Sequence, residues 1–320
     1  MARKKSRGRD ISGILLLDKP GGISSNKALQ IASAIFNARK AGHTGSLDPL
    51  ATGMLPICFG EATKVSGFML SADKVYTVSA KLGVVTDTGD SDGEVIQTRD
   101  ASQIDLASLT TAVEKFRGNI AQVPPMYSAL KRDGQPLYKL ARAGKEVARE
   151  PREVHVSQLR ILEFADATFS LSVHCSKGTY IRSLVTDIGE TLGCGAHVIA
   201  LRRDWVAPFG EATMHILDEL RDLSERDPDQ LDTLLLDVES ALSFERINLL
   251  PPDVDKLLNG QSVTVPQAIE VNAPYILKCA RSERFLGIGV GKSGSCVAPK
   301  RLVNTEAREQ NRGLNPSKFD

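Results

Sequence analysis

The chain has 320 residues, 42% of them hydrophobic and 25% charged, with a formal net charge of +1 at pH 7. This composition is typical of a globular protein with one large and one smaller domain, and no apolar run approaches the roughly 20 residues of a membrane-spanning helix. The basic stretch 1–9 is not followed by the apolar segment of a signal peptide, so we expect a cytoplasmic protein.

The predicted elements are strands and helices set by apolar periodicity. Ser24 or Ser25 caps the first helix, and alternation along the strand at 74–82 places Tyr76 on its buried face, towards the interior or a cleft. Arg182 belongs to the first turn of a later helix. In chain order we expect a strand at 13–18, the capped helix, a loop at 42–54, a helix at 60–70, strands at 74–82 and 94–97, a helix at 105–116, strands at 153–163 and 168–175, a helix from 181, and a strand at 196–206.

The last third of the chain changes character. Residues 211–245 are acidic and helical in pattern, and Pro251-Pro252 marks a predicted domain boundary. Short β-like pieces with glycine turns follow, at Ser262–Val265, Tyr275–Lys278, Phe285–Val290 and Cys296–Ala298, and they predict a small β-rich C-terminal domain.

The small net charge conceals an uneven distribution. Residues 1–10 carry five basic side chains, residues 131–152 carry seven against three acidic ones, and residues 278–301 carry six against one. Residues 211–245 offset them with eleven acidic and two basic side chains. Each basic cluster alone could be an ordinary solvated surface, but three together favour a nucleic acid as the partner.

One short loop, 42–54, holds a single carboxylate, Asp48, in a backbone path set by three glycines and by Pro49. Its apolar residues are expected to anchor it in a core, which leaves His43, Thr44 and Asp48 free for chemistry. Taken alone, an Asp-Pro pair more often only starts a turn. The loop by itself therefore leaves both interpretations open.

Several other motifs fail on inspection. The stretch 89–93 matches the serine-hydrolase elbow, but a strand pattern rather than a helix follows it. The same region does not form a calcium loop either, because Thr88 and Arg99 occupy positions that need ligands. Gly291-Lys292-Ser293 resembles the end of a phosphate-binding loop, but Leu286 occupies the position of the required upstream glycine. The five cysteines form no C-x-x-C pair and no zinc spacing, so neither disulfides nor a metal site are expected.

Four long motifs in order resemble those of the TruB-type tRNA pseudouridine synthases, which isomerise uridine 55 of the tRNA T-loop. The match is strong from about Gly8 to Trp205 and looser over 252–302, with Ser46 in place of the family's usual smaller residue. The motifs are Leu17-Asp18-Lys19-Pro20 with Ser24, Gly42-His43-Thr44-Gly45 continuing through Leu47-Asp48-Pro49-Leu50-Ala51-Thr52-Gly53, Lys74 with Tyr76, and Ser176-Lys177-Gly178-Thr179-Tyr180-Ile181-Arg182, extended by 194–203.

The elements and the resemblance together imply an α+β fold, with a mixed, mainly antiparallel sheet flanked by helices and a small PUA-like domain. The implied organisation is a basic arm at 1–10, a catalytic domain at 11–250, a PUA-like RNA-binding domain at 251–303 and a polar tail at 304–320. Within the catalytic domain, the basic stretch 131–152 corresponds to the family's mobile thumb, which would close on the RNA.

The resemblance also implies the reaction, in which the N1–C1′ glycosidic bond breaks, the uracil turns, and C5 is joined to C1′. No redox step and no group donor are needed, which implies no cofactor. A carboxylate suits the electron-poor sugar carbon. By resemblance it is Asp48, which either attacks C1′ as a nucleophile or first removes a proton from C2′. Arg182 is the family's arginine facing it, where its charge would lower the pKa of Asp48 and keep it ionised.

Other residues have implied roles in binding. A uridine stacked in the T-loop must be flipped into a pocket, where Tyr76 would stack on the base. Tyr180 and Leu201 would be pocket neighbours, and His43 would fill the gap that the base leaves. The remaining implied substrate contacts are Lys19, Lys64, Asp90 and the stretch 131–152, of which the basic groups would hold phosphates and give an affinity that falls with salt.

The expected partner is the T-stem-loop of tRNA, bound by a monomer without membrane or metal. Three alternatives remain. A non-catalytic RNA-folding chaperone would use every basic element equally, and TruB-like proteins can combine both activities. The catalytic subunit of a guide-RNA-directed complex shares the core motifs but needs protein partners, and the thumb-like insertion favours the stand-alone enzyme. A nucleotide-dependent enzyme is disfavoured by the incomplete Gly-Lys-Ser loop.

Overall fold

The computed structural model describes residues 8–210 and 212–303, which form two main sheets with helices packed around them. Most of the predicted basic arm and the predicted polar tail, residues 1–7 and 304–320, lie outside the described residues. Within the described ranges, no helix is long and apolar enough to cross a membrane.

Strands and helices are numbered in chain order. The strands are β1 (Gly13–Lys19), β2 (Ala41–His43), β3 (Thr52–Phe59), β4 (Lys74–Leu82), β5 (Val84–Thr86), β6 (Val95–Thr98), β7 (Gly118–Gln122), β8 (Lys131–Arg132), β9 (Gln135–Pro136), β10 (Arg152–Ala165), β11 (Thr168–Cys175), β12 (Ala196–Val206), β13 (Arg246–Leu249), β14 (Val263–Thr264), β15 (Pro274–Cys279), β16 (Phe285–Lys292) and β17 (Cys296–Leu302). The α-helices are α1 (Ser25–Ile35), α2 (Ser66–Met69), α3 (Leu106–Glu114), α4 (Leu137–Arg142), α5 (Ile181–Thr191), α6 (Leu217–Arg226), α7 (Pro228–Thr233) and α8 (Pro251–Leu258), and short 3₁₀ helices span Gly60–Lys64 and Val238–Ala241.

The larger sheet has the strand order β1-β3-β12-β4-β11-β10-β7, with β2 paired to β3. Its neighbours run antiparallel except β3 and β12, which pair in parallel at Thr52 with Arg202 and Gly53 with Arg203. Gly53 makes this approach possible, because it has φ +97° and an added Cβ would lie only 2.3 Å from the Arg203 carbonyl oxygen. The expected α+β fold with a mixed, mainly antiparallel sheet is confirmed.

The core lies where helices cover one face of this sheet. Strand β4 alternates as predicted, with Tyr76, Val78, Ala80 and Leu82 all buried. These side chains share one apolar cluster with the buried stripe of α5 and with residues of α1 and α3. Helix α1 is capped by Ser24, whose hydroxyl accepts a hydrogen bond from the Lys27 amide. Burial of these faces fixes the strands that carry the pocket described below.

The second sheet has the order β13-β15-β16-β17-β14, and with α8 it forms the predicted β-rich C-terminal domain. It begins at Arg246, a few residues before the predicted boundary. Pro251 and Pro252, which the sequence marked as a boundary, open helix α8 instead, since proline is tolerated in the first helical turn. Ile276 and Ile288 of this sheet pack against the other face of the larger sheet.

Strand β3 was not predicted, and the reason is local. It contains Gly53 and Pro56, which normally argue against a strand interior. All residues of β3 except Thr52 are nonetheless buried, and the strand lies between β1 and β12. The acidic segment is helical as predicted, with α6, α7 and a 3₁₀ turn, except that Glu211 lies outside the described residues.

Candidate active site

Helix α1 fixes the loop between β2 and β3 through the backbone of Leu47. The buried hydroxyl of Ser25 accepts a hydrogen bond from the Leu47 amide at 2.7 Å and donates one to the Leu47 carbonyl at 3.0 Å. Leu47 is buried in the core, and Gly45 takes a positive φ of +74°. Thr44, expected to be free for chemistry, is instead buried. The loop therefore presents Asp48 from a fixed backbone.

Asp48 faces the arginine that the sequence predicted for it. Arg182, in the first turn of α5, places Nε 2.9 Å from Asp48 Oδ2 and Nη1 3.4 Å from Asp90 Oδ2. The same guanidinium donates to the carbonyl oxygens of Thr88, at 2.8 Å, and Tyr127, at 2.7 Å. The Arg182 side chain is only 5% exposed, whereas that of Asp48 is 41% exposed. Asp48 is thus the member of the network that solvent or substrate can reach.

The net effect on the Asp48 carboxyl differs from the expectation. Burial in the pocket wall raises the pKa of Asp48 above its ordinary value, and Arg182 counteracts this only in part. The nearby Asp90 carboxylate adds to the upward shift of the pKa, while Lys19 opposes it. Desolvation therefore outweighs the ion pair, and Asp48 is more basic than an aspartate in water.

The carboxylate opens into a cavity of about 280 Å³, near the lower end of the range for small-molecule sites. Tyr76 and Leu201, from neighbouring strands, line it together with Tyr180, whose backbone is fixed by Gln122 through two hydrogen bonds of 2.7 and 2.9 Å. Ser128 and Ala129, which precede the basic stretch 131–152, close one side. The cavity brings together Asp48, Arg182, Tyr76, Tyr180 and Leu201.

Two cations of this cavity were missed at the sequence level, Lys74 and Arg203. Arg203 is 1% exposed, and it donates from Nε to the Met54 carbonyl at 2.7 Å and from Nη2 to the Gly45 carbonyl at 3.0 Å. It therefore binds both ends of the Asp48 loop. Strand parity could have identified these residues, because Lys74 shares a face with Tyr76 and Arg203 with Leu201.

Lys19 was predicted to contact a phosphate, but its surroundings differ from those of an RNA-binding lysine. Its side chain is fully buried, and its ammonium donates to the carbonyl oxygens of Pro20 at 2.8 Å, Ile23 at 2.7 Å and Pro49 at 3.4 Å. Burial lowers its pKa to about 8 despite the nearby Asp48 charge. The ammonium is thus enclosed by backbone carbonyls of the Asp48 loop and of the turn after β1, and its burial argues against a direct phosphate contact.

The remaining predicted site residues lie around the cavity rather than in its wall. Asp90 is buried behind Arg182, where it accepts a hydrogen bond from the Thr88 hydroxyl at 2.6 Å. Lys64 is partly exposed and pairs with Glu61 at 2.6 Å and with the Leu302 carbonyl at 3.0 Å. His43 ends β2 before the loop, and its buried Nδ1 has no hydrogen-bond partner among the described residues.

A metal site is not formed by the described part of the chain, where no three His, Cys, Asp or Glu side chains converge as ligands. The cavity combines one accessible carboxylate, a guanidinium that holds it, aromatic side chains that can contact a planar base, and the two further cations Lys74 and Arg203.

Solved structures support the fold first. The chain matches the archaeal box H/ACA sRNP Nop10–Cbf5 complex with a TM-score of 0.69 and 24% identity, over 91% of this chain and 85% of that one. It matches a Cbf5–Nop10–Gar1 complex with a TM-score of 0.72 and 25% identity, over 91% and 84%. These matches show that the chain shares its fold with the Cbf5-containing structures.

Sequence comparisons then define the family. The model for the N-terminal domain of TruB family pseudouridylate synthases matches residues 33–181, and two TruB C-terminal models match residues 182–243 and 246–303. Proteins named tRNA pseudouridine synthase B are 49% identical in Nitrosococcus oceani, over 95% of this chain and 99% of that protein, and 50% identical in Shewanella denitrificans, over 97% and 99%. The chain belongs to the TruB family of pseudouridylate synthases.

Proposed function

We propose that this protein isomerises uridine 55 in the T-loop of tRNA to pseudouridine, using Asp48 as its nucleophilic carboxylate. The observation that carries the proposal is the Asp48–Arg182 pair at the wall of a cavity lined by Tyr76. Relatives of about half-identical sequence, named tRNA pseudouridine synthase B, support tRNA as the substrate.

The reaction needs a group that meets the electron-poor C1′ carbon as the glycosidic bond breaks. Asp48 supplies the carboxylate that lines the cavity. The raised pKa of Asp48 makes this carboxylate a better nucleophile or base than that of an ordinary aspartate. Both routes, attack at C1′ and removal of a proton from C2′, use the same oxygen. Arg182 keeps that oxygen directed into the cavity through its ion pair and its two carbonyl contacts.

The target uridine would enter this cavity only after it is flipped out of the T-loop stack. Tyr76 would then stack on the uracil, with Tyr180 and Leu201 at its edges, since all three line the cavity wall. His43 lies outside the wall at the start of the loop. It would occupy the space that the flipped base vacates.

The rest of the tRNA would be held by charge. The basic stretch 131–152, which follows the cavity-lining Ser128 and Ala129, would act as the thumb, and the C-terminal sheet would bind towards the acceptor stem. Lys64, held beside the C-terminal sheet by Glu61 and the Leu302 carbonyl, would add a phosphate contact. The division into a catalytic domain at 11–250 and an RNA-binding domain at 251–303 is part of this proposal, and the monomeric state and the cytoplasmic location stay predictions.

The proposal is tested with the purified protein alone and an unmodified tRNA transcript. A carbodiimide that marks pseudouridine should then reveal one new modified position, in the T-loop, and none in a transcript whose uridine 55 is replaced by cytidine. A modification elsewhere would contradict the proposed position. A requirement for a guide RNA or a protein partner would contradict the stand-alone activity.

A further inference from the structure

Two further buried cations line the same cavity as Arg182, and the reaction steps above use neither. Lys74 and Arg203 both line the cavity, yet they are only 8% and 1% exposed. In the described part of the chain neither forms an ion pair with a carboxylate; both donate to backbone carbonyls, and Arg203 also has a hydrogen bond with the Tyr76 side chain. Since a buried charge is costly unless it is compensated, this uncompensated pair calls for an explanation.

The side chains of Lys74 and Arg203 both lie next to Gly45 in the Asp48 loop. A Cβ added to Gly45 would lie 3.5 Å from Arg203 Nη1 and 3.8 Å from Lys74 Cε. The bonds of Arg203 to the Met54 and Gly45 carbonyls use its Nε and Nη2. The Lys74 ammonium has three N–H groups and donates to the Ala72 carbonyl. Donors of the Lys74 ammonium therefore remain for a ligand in the cavity.

The reaction creates a negative charge that these cations could meet. When the N1–C1′ bond breaks, its electron pair stays on N1, so that uracil leaves as an anion with the charge spread over N1 and the carbonyl oxygens O2 and O4. The sugar carbon left behind is electron-poor and is met by Asp48. The later bond between C5 and C1′ takes its electron pair from the uracil anion and leaves the base neutral. The C5 proton is then lost and N1 gains a proton, which gives pseudouridine.

We propose that Lys74, held in place beside Arg203, stabilises the uracil anion released during pseudouridine formation. The proposal rests on the proposed function. It gives the cavity two charged groups with opposite roles: the Asp48 carboxylate for the sugar and the Lys74 ammonium for the departing base. Tyr76, the proposed stacking residue, is two residues from Lys74 on the same face of β4.

The Lys74 ammonium is a buried cation whose charge is only weakly offset by nearby anionic groups. Burial and the neighbouring Arg203 guanidinium lower the pKa of Lys74 to about 8. Lys177 acts in the same direction, whereas Cys175 and Asp73 act against it. A cation fixed in a water-poor site stabilises developing charge more strongly than one in solvent. The rate should therefore fall as the pH rises through this range and Lys74 loses its proton.

The experiment compares Lys74→Met with Lys74→Arg, and uses Lys81→Met as the control because Lys81 is exposed on the same strand. Single-turnover rates are measured on a tRNA whose target is uridine and on one whose target is 5-fluorouridine. Fluorine withdraws electrons and stabilises the uracil anion, so the second substrate needs less help from the protein. Nuclease digestion and chromatography follow the loss of the original nucleoside, and tRNA affinity is measured separately.

We expect Lys74→Met to slow the uridine reaction about 100-fold or more, as removal of an oxyanion donor does in other enzymes. The loss with 5-fluorouridine should be at least about tenfold smaller, at similar tRNA affinity. Lys74→Arg should reduce the fall in rate above pH 8, and any fall that remains belongs to Lys19, whose pKa is also about 8. Lys81→Met should match the unchanged protein on both substrates.

Equal losses on the two substrates, or no loss, would overturn the proposal. If Lys74→Met proves poorly folded by circular dichroism, the pH profile of Lys74→Arg decides instead: an alkaline fall identical to that of the unchanged protein would overturn it. Failure of the proposed function has a different signature, because the unchanged protein would then form no pseudouridine in the first place.

Discussion

At the residue scale, the candidate active site distinguishes two aspartates by their surroundings. Both pair with Arg182, but Asp48 faces the cavity whereas Asp90 is buried and bonded to the Thr88 hydroxyl. The arrangement leaves Asp48 open to the cavity and makes Asp90 a second anchor for the guanidinium. Because Asp90 also raises the pKa of Asp48, the two carboxylates are coupled.

This coupling predicts a pH effect of Asp90→Asn. Catalysis needs ionised Asp48, so the single-turnover rate should rise with pH through the raised pKa of that group. Removing the Asp90 charge removes one contribution that raises this pKa, so the acidic limb of the profile should move to lower pH, and the plateau should fall because Arg182 loses a partner. Asp92→Asn, at an exposed neighbour, is the control. A limb that stays in place or moves to higher pH contradicts the assignment.

Lys19→Met tests the supporting role of the buried lysine. The change leaves the Pro20 and Ile23 carbonyls without their donor, so the free energy of unfolding should fall by about 1–3 kcal/mol. Urea denaturation measures this, with Lys27→Met on the exposed face of α1 as the control. The salt dependence of tRNA binding should not change. A lower salt dependence with unchanged stability would restore the phosphate-binding role.

At the element scale, local pattern predicted those strands and helices whose burial is local. Strand β4 was predictable because its alternation is regular, and α5 because its apolar stripe is continuous. Strand β3 and helix α8 were not predictable in this way. Pro56 argues against a strand, but pairing with β1 and β12 overrides that signal. Pro251 resembles a boundary, but it occupies the first turn of α8, where proline is tolerated. The Asp48–Arg182 pair followed from the motif resemblance. The Lys74–Arg203 pair did not, since it depends on which strands lie side by side.

The thumb, residues 131–152, is the element whose proposed role depends most on charge. It contains a short hairpin, β8–β9, and helix α4, and its exposed lysines are Lys131, Lys139 and Lys145. Changing all three to Gln should weaken tRNA binding and reduce the slope of log affinity against log salt by up to about 3. The same change at the exposed Lys27, Lys81 and Lys115 is the control. Equal effects of the two triple variants would contradict a specific role for the thumb.

At the scale of the whole molecule, the site depends on contacts that are remote in sequence. The loop at Asp48, the first turn of α5 and the end of β12 meet only because β3 pairs in parallel with β12 while β12 pairs with β4. No local pattern encodes that strand order. It follows from the burial of the whole sheet between its helices and the C-terminal domain.

The central claim is that Asp48 performs the chemistry on a tRNA uridine, and Asp48→Asn tests it most directly because the change keeps the shape of the side chain and removes its charge. Single-turnover carbodiimide mapping on an unmodified tRNA transcript, with tRNA affinity measured in parallel, is the decisive measurement. The account predicts one T-loop pseudouridine with the unchanged protein and none above background with the variant, at similar affinity. Pseudouridine formed by Asp48→Asn at the rate of the unchanged protein would contradict it.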